Sequence, residues 1–200
     1  PPEYLAHKSG VPSENIIKLN GNENPYGPSL LIHEALGKFP SYHLYPDANQ
    51  SSLRNALQEY SGVPADHIIV GAGADELIDL ILRATLDEGD KVIDCPPSFG
   101  MYSFSTQVNG GTIVSVQRDE EYQVDLRKVI DSIDEKTKVV FIASPNNPTG
   151  NTIPIEMVTE LLCQGILVVI DETYYEFSGH TYAALVAEYH NLIVLRSFSK

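Results

Sequence analysis

Residues 167–174 read Leu-Val-Val-Ile-Asp-Glu-Thr-Tyr, and this stretch decides the fold class. Its first four residues are apolar without alternation, which is typical of a strand that is buried on both faces. Such strands occur in parallel sheets that helices cover on both sides. The run ends at Asp171, so a carboxylate stands where a buried strand leaves its sheet. A buried carboxylate needs a cationic or hydrogen-bonding partner.

Other short apolar runs along the chain resemble this one, and longer amphipathic stretches lie between most of them. The apolar runs predict strands at residues 67–70, 91–94, 112–116, 139–142, 167–170 and 192–195. Apolar residues at helical spacing predict helices around residues 77–84, 124–133 and 157–162. Because strands and helices alternate, we expect an α/β fold with a mostly parallel central sheet sandwiched by helices.

The first fifty residues have a different character. Residues 20–29 are dense in Asn, Gly and Pro and predict an ordered arm without regular secondary structure. Residues 43–47 predict an extended or turn segment, since the residue before a proline avoids the helical region.

Composition narrows the function classes. The 200 residues carry a formal charge of −14, which argues against a nucleic-acid partner, because such partners are bound by clustered Lys and Arg. Cys95 and Cys163 have no ligand spacing and predict two free thiols in a reducing compartment. No apolar run reaches the length of a membrane span, and residues 1–4 show no signal-peptide pattern. We therefore expect a cytoplasmic protein without a membrane partner, with an N-terminus that is processed or trimmed.

Polar groups follow several of the predicted strands, at the edge where ligands collect in parallel α/β sheets. Residues 71–76, Gly-Ala-Gly-Ala-Asp-Glu, combine small residues with a helix start and predict a phosphate cradle. A simple glycine turn with Asp75 as the helix cap is the alternative. The dinucleotide fingerprint GxGxxG is broken, which disfavours a dinucleotide-binding domain.

Three more strand ends carry possible ligand contacts. Phe99 can stack on a planar ring or simply fill the core. Asn147 lies in an Asn-Pro-Thr-Gly turn that fixes its amide in space. Asp171 and Tyr174 follow the central run, where Asp171 either binds a ligand or caps a helix. The six histidines have no metal-binding spacing and no GxSxG nucleophile motif is present, so no metal is expected.

Five motifs together carry a resemblance to a known family. They are GAGADE (71–76), PPSFGMY (96–102), SPNNPTG (144–150), DETYY (171–175) and SFSK (197–200). In this order they resemble fold-type I aminotransferases that depend on pyridoxal 5′-phosphate. With LNGNENPYGPS (19–29) and LYPD (44–47), the chain is most similar to the histidinol-phosphate aminotransferases, over residues 18–200.

The resemblance implies roles for residues around the cofactor ring. Lys200 would hold pyridoxal 5′-phosphate as a Schiff base, and Asp171 would pair with its ring nitrogen, which makes the ring an electron sink. Tyr174 and Asn147 would hydrogen-bond the ring's phenolic oxygen. Phe99 would stack on the ring face.

It also implies roles around the phosphate and the substrate. The backbone amides of Ala74 and Asp75 and the hydroxyls of Ser197 and Ser199 would hold the phosphate. Tyr45 would reach that phosphate from the partner subunit, which implies a homodimer. Tyr26, together with Asn147, would contact the substrate.

The implied activity is transamination, in which L-histidinol phosphate gives up its amino group and 2-oxoglutarate accepts it to become glutamate. Residues 1–30 would form an arm of a small domain, and residues 31–200 a large cofactor-binding domain that is incomplete at its C-terminal side. Because the family's arginines and most of its small domain follow the lysine, we expect this chain to be a segment of a longer one. The alternatives are threonine-phosphate decarboxylase, an aromatic aminotransferase, or a non-catalytic sensor domain of a transcription regulator.

Overall fold

The computed structural model describes residues 2–200, which form two compact units. The sheet unit comprises Pro46–Phe198, and the N-terminal unit comprises the residues up to Tyr45 together with Ser199 and Lys200. The helices are α1 (Pro2–Ser9), α2 (Leu30–Lys38), α3 (Ser51–Ser61), α4 (Ala74–Thr85), α5 (Met101–Val108), α6 (Leu126–Asp131), α7 (Ile155–Leu162) and α8 (Tyr175–Ser178). The strands are β1 (Lys91–Asp94), β2 (Thr112–Ser115), β3 (Thr137–Ala143), β4 (Leu167–Asp171) and β5 (Leu192–Leu195). Short 3₁₀ helices lie at Ser13–Asn15, Ala65–His67 and Ala183–Ala187.

The five strands form one parallel sheet in the order β2-β1-β3-β4-β5. Apolar clusters cover both of its faces, one containing Ile142, Ile170 and Tyr182 and the other containing Phe141 and Val169. Neighbouring strand residues fall into opposite clusters because side chains alternate along a strand. The predicted α/β fold with a parallel sheet between helices is therefore confirmed.

Helices α4 and α7 each pack through one apolar face. Helix α4 buries Ile78 and Leu82, which stand four residues apart and so share one face. Helix α7 buries Val158, Leu161 and Leu162 in the same way. Among the strand-connecting helices, α6 begins at a side-chain cap, where Asp125 accepts a hydrogen bond from the Lys128 amide.

The strand predicted at residues 67–70 is wrong. His67 ends the 3₁₀ helix Ala65–His67, and residues 68–70 belong to no strand. The Val70 carbonyl accepts a hydrogen bond from the Gln50 side chain, and Ile69 is 79% exposed. A β-branched run becomes a strand only where a neighbouring strand pairs with its backbone, and within the described residues none does.

The N-terminal unit contains α1, α2 and the predicted arm. The arm, residues 20–29, has turns but no helix or strand, and α2 begins directly after it. Within this unit Lys18 pairs with Glu23 at 2.5 Å, and the Lys200 Nζ donates to the Gly21 carbonyl at 2.9 Å. The predicted domain division at residues 30 and 31 stays a prediction. No helix among residues 2–200 is long and apolar enough to cross a membrane.

Candidate active site

The carboxyl ends of the central strands bring together groups that are far apart in the sequence. In the sheet register, Asp94 at the end of β1 lies opposite Phe141, and Asp171 at the end of β4 lies opposite Ala143 and Leu195. The loops that follow β1, β3, β4 and β5 therefore leave the sheet at one edge, as expected for a ligand site in a parallel sheet.

Asp171 is the centre of this edge. Its side chain is 4% exposed, and its two oxygens accept different hydrogen bonds. The Tyr102 hydroxyl donates to Oδ2 at 2.6 Å, and the Thr173 amide donates to Oδ1 at 2.9 Å. In the part of the chain that the structure describes, no Lys, Arg or His forms an ion pair with this carboxylate. Asp171 is not the cap of α8, since Tyr174 occupies that position.

Tyr102 reaches Asp171 from helix α5 and is held by aromatic neighbours. Its ring stacks on Phe141 at 4.8 Å between centroids and 8° between planes, and Phe99 meets it edge-on at 5.7 Å. The side chain is completely buried. Burial and the adjacent charge of Asp171 raise the pKa of Tyr102 well above its ordinary value, so the phenol keeps its proton.

The loop after β3 is tied to the loop after β1. Asn146, which is 3% exposed, donates from Nδ2 to the Pro97 carbonyl at 3.0 Å and to the Thr149 hydroxyl at 2.8 Å. Its Oδ1 is buried, and no group among residues 2–200 forms a hydrogen bond with it. The predicted contact residue Asn147 follows immediately and is partly buried. Phe99, in the loop after β1, is also partly buried.

The glycine turn before α4 is followed by a helix N-terminus that has no side-chain cap. Helix α4 begins at Ala74, so Ala74 and the exposed Asp75 lie in its first turn, where backbone N–H groups have no partner within the helix. Gly73 has a φ of +92° and open space around its Cα. The Glu76 carboxylate accepts from the Ala72 amide at 2.5 Å, on the residue before Gly73. Asp75 makes no side-chain cap to this helix, so the capping alternative is wrong.

A second buried carboxylate, Glu172, directly follows Asp171. It is fully buried and forms an ion pair with Arg196 at 3.0 Å. The Thr181 hydroxyl and the Tyr182 amide also donate to it, the latter at 2.6 Å. Burial raises the pKa of Glu172, although these donors act in the opposite direction. The Arg196 guanidinium lies 3.7 Å from the centroid of the Tyr175 ring.

The end of β1 holds a third buried acid, Asp94, which is 5% exposed and accepts from the Ser98 hydroxyl. Burial raises the pKa of Asp94 above its ordinary value. Burial likewise raises the pKa of the neighbouring Cys95 thiol to about 12. Arg118 donates to the Cys95 carbonyl at 2.9 Å. No group of three or more His, Cys, Asp or Glu among residues 2–200 could hold a metal ion.

The predicted site residues divide between the two units. Seven of them belong to the sheet unit, either on the strand-end edge or in the first turn of α4: Ala74, Asp75, Phe99, Asn147, Asp171, Tyr174 and Ser197. The other predicted residues, Tyr26, Tyr45, Ser199 and Lys200, belong to the N-terminal unit, where Tyr26 is 95% exposed and Tyr45 is fully exposed. The roles assigned to all of them stay predictions.

The sheet and the residues at its edge form a parallel α/β fold with a candidate ligand site, and the family model for aminotransferases class I and II matches residues 14–200. The chain belongs to this family. It is 48% identical over 188 residues to the histidinol-phosphate aminotransferase of Dehalococcoides mccartyi, covering 94% of this chain and 52% of that protein. It is 46% identical over 202 residues to histidinol-phosphate aminotransferase 1, chloroplastic, of Arabidopsis thaliana, covering 100% of this chain and 48% of that protein.

A solved structure shows the same fold. The histidinol-phosphate aminotransferase of Sinorhizobium meliloti, in complex with pyridoxal 5′-phosphate, matches with a TM-score of 0.83 and 26% identity, covering 100% of this chain and 56% of that one. The predicted similarity to fold-type I aminotransferases is thereby confirmed. The chain spans about half the length of the curated relatives it matches.

The described residues fit a pyridoxal phosphate group on two counts. Asp171 is a buried carboxylate whose described donors are neutral, and no cation among residues 2–200 pairs with it, so a protonated ring nitrogen would supply a positive charge. The first turn of α4, with the open Gly73 before it, offers backbone N–H groups to a phosphate.

Sequence reasoning assigned no role to Tyr102, Asp94 or the Glu172–Arg196 pair. Tyr102 stands within the quoted motif at residues 96–102, three residues after Phe99, but its partner is 69 residues away in sequence. Arg196 precedes the motif at residues 197–200 and pairs across 24 residues. The available signal was the second consecutive acid at the end of β4, because a fully buried Glu requires a basic partner.

Proposed function

We propose that the full-length protein containing this chain is a pyridoxal-phosphate-dependent aminotransferase that transfers an amino group between L-histidinol phosphate and 2-oxoglutarate. The similarity to two proteins named histidinol-phosphate aminotransferase, at 48% and 46% identity, supports this substrate assignment. The single structural observation that carries the proposal is the buried carboxylate of Asp171, which lacks a cation from the described chain.

Pyridoxal 5′-phosphate, when bound, supplies an electron-withdrawing ring that acidifies the Cα proton of an attached amino compound. In this proposal Asp171 holds a proton on the ring nitrogen, and Phe99 covers a face of the ring. Tyr174 and Asn147 bind the phenolic oxygen. Lys200 would hold the cofactor covalently when no substrate is present. Once the substrate amine has replaced it, the freed Lys200 Nζ would take up the substrate Cα proton and deliver it to the cofactor carbon that receives the amino group.

The remaining roles concern anchoring and substrate. The Ala74 and Asp75 amides, with the Ser197 and Ser199 hydroxyls, bind the cofactor phosphate. We further propose that the protein is a cytoplasmic homodimer in which Tyr45 reaches the phosphate of the partner subunit's site. Tyr26 and Asn147 contact the substrate, and the division into an arm at residues 1–30 and a cofactor domain at residues 31–200 belongs to the same proposal.

The cofactor assignment is tested by visible absorbance of the full-length protein mixed with pyridoxal 5′-phosphate. A Schiff base with a lysine gives a visible band that should vanish in Lys200→Ala. Lys136→Ala changes an exposed lysine in the loop before β3 and is the matched control, which should keep the band. A protein that stays colourless with added cofactor, or a band that survives Lys200→Ala, would refute the assignment.

The substrate assignment needs a separate measurement. Glutamate formation from 2-oxoglutarate is compared for L-histidinol phosphate and for aromatic amino acids, and CO₂ release is followed with threonine phosphate. We expect histidinol phosphate to give the highest kcat/KM and no CO₂ to be released. A higher kcat/KM for an aromatic amino acid, or CO₂ release, would select one of the alternative enzymes.

A further inference from the structure

Asp171 has an unusual set of partners for a buried carboxylate. Both of its described hydrogen bonds come from neutral groups, the Tyr102 hydroxyl and the Thr173 amide. The two donors act on different oxygens, so they fix the plane of the carboxylate as well as stabilise its charge. Each oxygen keeps a lone pair for a further partner.

Of these two donors, Tyr102 is held in place by the packing of its ring. Its ring cannot swing away, because Phe141 stacks on it face to face and Phe99 closes against it edge-on. The Thr173 amide lies only two residues from Asp171 and forms a local turn, whereas Tyr102 comes from helix α5 and ties that helix to the end of β4.

We propose that Tyr102 is a positioning residue which orients the Asp171 carboxylate and donates a hydrogen bond to it, so that the proton shared with the cofactor's ring nitrogen stays on the nitrogen. This inference rests on the function proposed above. A proton placed between a carboxylate and a ring nitrogen moves toward the carboxylate when the negative charge loses a hydrogen-bond donor. The Tyr102 hydroxyl opposes that movement.

The alternative is that Tyr102 serves only to fill the core. Tyr102→Phe separates the two, since it keeps the ring between Phe141 and Phe99 and removes one oxygen. Tyr182→Phe is the matched control: Tyr182 is 3% exposed, and its described hydrogen bonds join its hydroxyl to the Ile153 carbonyl and the Ser144 hydroxyl rather than to the Asp171 carboxylate.

The measurement is the ¹⁵N NMR shift of the ring nitrogen in the full-length protein loaded with ¹⁵N-labelled pyridoxal 5′-phosphate. A hydrogen bond to a charged group contributes about 1.5–3 kcal/mol, which corresponds to an about 10- to 150-fold change in the ratio of protonated to unprotonated nitrogen. We expect Tyr102→Phe to lower this ratio by that factor and so to move the ¹⁵N shift toward the value of unprotonated pyridine. Tyr182→Phe should leave the shift unchanged. An unchanged shift in Tyr102→Phe would overturn the inference.

A second binding measurement covers the case in which Tyr102→Phe retains no cofactor. The variant is then titrated with the cofactor analogue in which carbon replaces the ring nitrogen. Binding of the analogue as in the wild type, with binding of pyridoxal 5′-phosphate lost, supports the positioning role. Loss of both shows a structural role and overturns it. A wild-type protein that gives no visible band contradicts the proposed function itself, which is a different outcome.

Discussion

The ion pair between Glu172 and Arg196 offers a sharp test of how the site edge is held together. Glu172→Gln keeps the shape of the side chain and an oxygen that can accept from the Tyr182 amide, but it removes the negative charge. Arg196 then loses its charged partner, whose carboxylate is fully buried. The two residues join the segments that follow β4 and β5, so the substitution acts on both.

The magnitude follows from the burial of the pair. Removing one partner of a fully buried pair costs about 3–5 kcal/mol. The Arg196 side chain is 18% exposed and keeps its contact with the Tyr175 ring, so water and the aromatic ring compensate for part of the loss. We therefore expect a local destabilisation of about 2–3 kcal/mol, which corresponds to an about 30- to 150-fold faster amide exchange where closing is faster than exchange.

Amide hydrogen exchange of the full-length protein, followed by mass spectrometry on peptides that contain Tyr182, measures this change directly. Glu34→Gln is the matched control, because Glu34 forms an exposed pair with Lys38 at 3.6 Å. Exposed pairs of this kind contribute less than about 0.5 kcal/mol, so exchange in α2 should change about twofold at most. Equal effects of the two substitutions would refute the reasoning that burial makes the Glu172 pair strong.

Three further predictions concern residues outside that pair. In Asp94→Asn, the free energy of unfolding should fall less with rising pH than in the wild type. Burial raises the pKa of Asp94 above its ordinary value of 3.8, so the stability that its protonated form contributes is complete below pH 3.8 and is lost as the pH rises through the raised pKa. Urea titrations at several pH values measure this difference. Cys95 should resist alkylation in the folded protein while the exposed Cys163 reacts, since burial raises the pKa of Cys95 to about 12; peptide mass mapping measures both. Gly111→Ala should lower the unfolding free energy by about 1–3 kcal/mol in thermal unfolding, because its Cβ would lie 2.8 Å from the Leu86 side chain.

Each of these has a result that contradicts it. Parallel pH profiles for Asp94→Asn and the wild type would show that this carboxyl does not titrate differently on folding. Equal alkylation rates for the two cysteines would show that the end of β1 is open. Gly37→Ala is the control for Gly111→Ala, because nothing lies within 4 Å of its added Cβ in helix α2, and equal stability of the two variants would exclude a clash.

Sequence alone predicted the sheet well because its strands carry their own signal. The runs at residues 139–142 and 167–170 are apolar on both faces, and both lie in the middle of the sheet. The run at residues 67–70 has the same β-branched character and is not a strand. Its state depends on whether another backbone pairs with it, and a single run of residues does not encode that information.

The candidate site was predictable in part for a similar reason. Asp171 was recognisable because a carboxylate at the end of an apolar run must be buried and must have a partner. The identity of that partner was not recognisable, because Tyr102 approaches through the packing of α5 on the sheet. Burial of a polar group can thus be inferred from its own neighbours in sequence, whereas the donors that satisfy it depend on the tertiary structure.

The two consecutive acids at the end of β4 show why Asp171, and not Glu172, is suited to an external cation. Their side chains leave on opposite faces, since Asp171 meets Tyr102 in one apolar cluster and Glu172 lies against Tyr182 in the other. Glu172 is neutralised within the chain by Arg196. Asp171 is equally shielded from water, yet its described donors are neutral, so its charge is stabilised but not cancelled. A buried charge in that state binds a cation more strongly than an exposed one would, because little water has to be displaced. The same sheet edge therefore contains one carboxylate that holds the structure together and one whose charge remains available to a ligand.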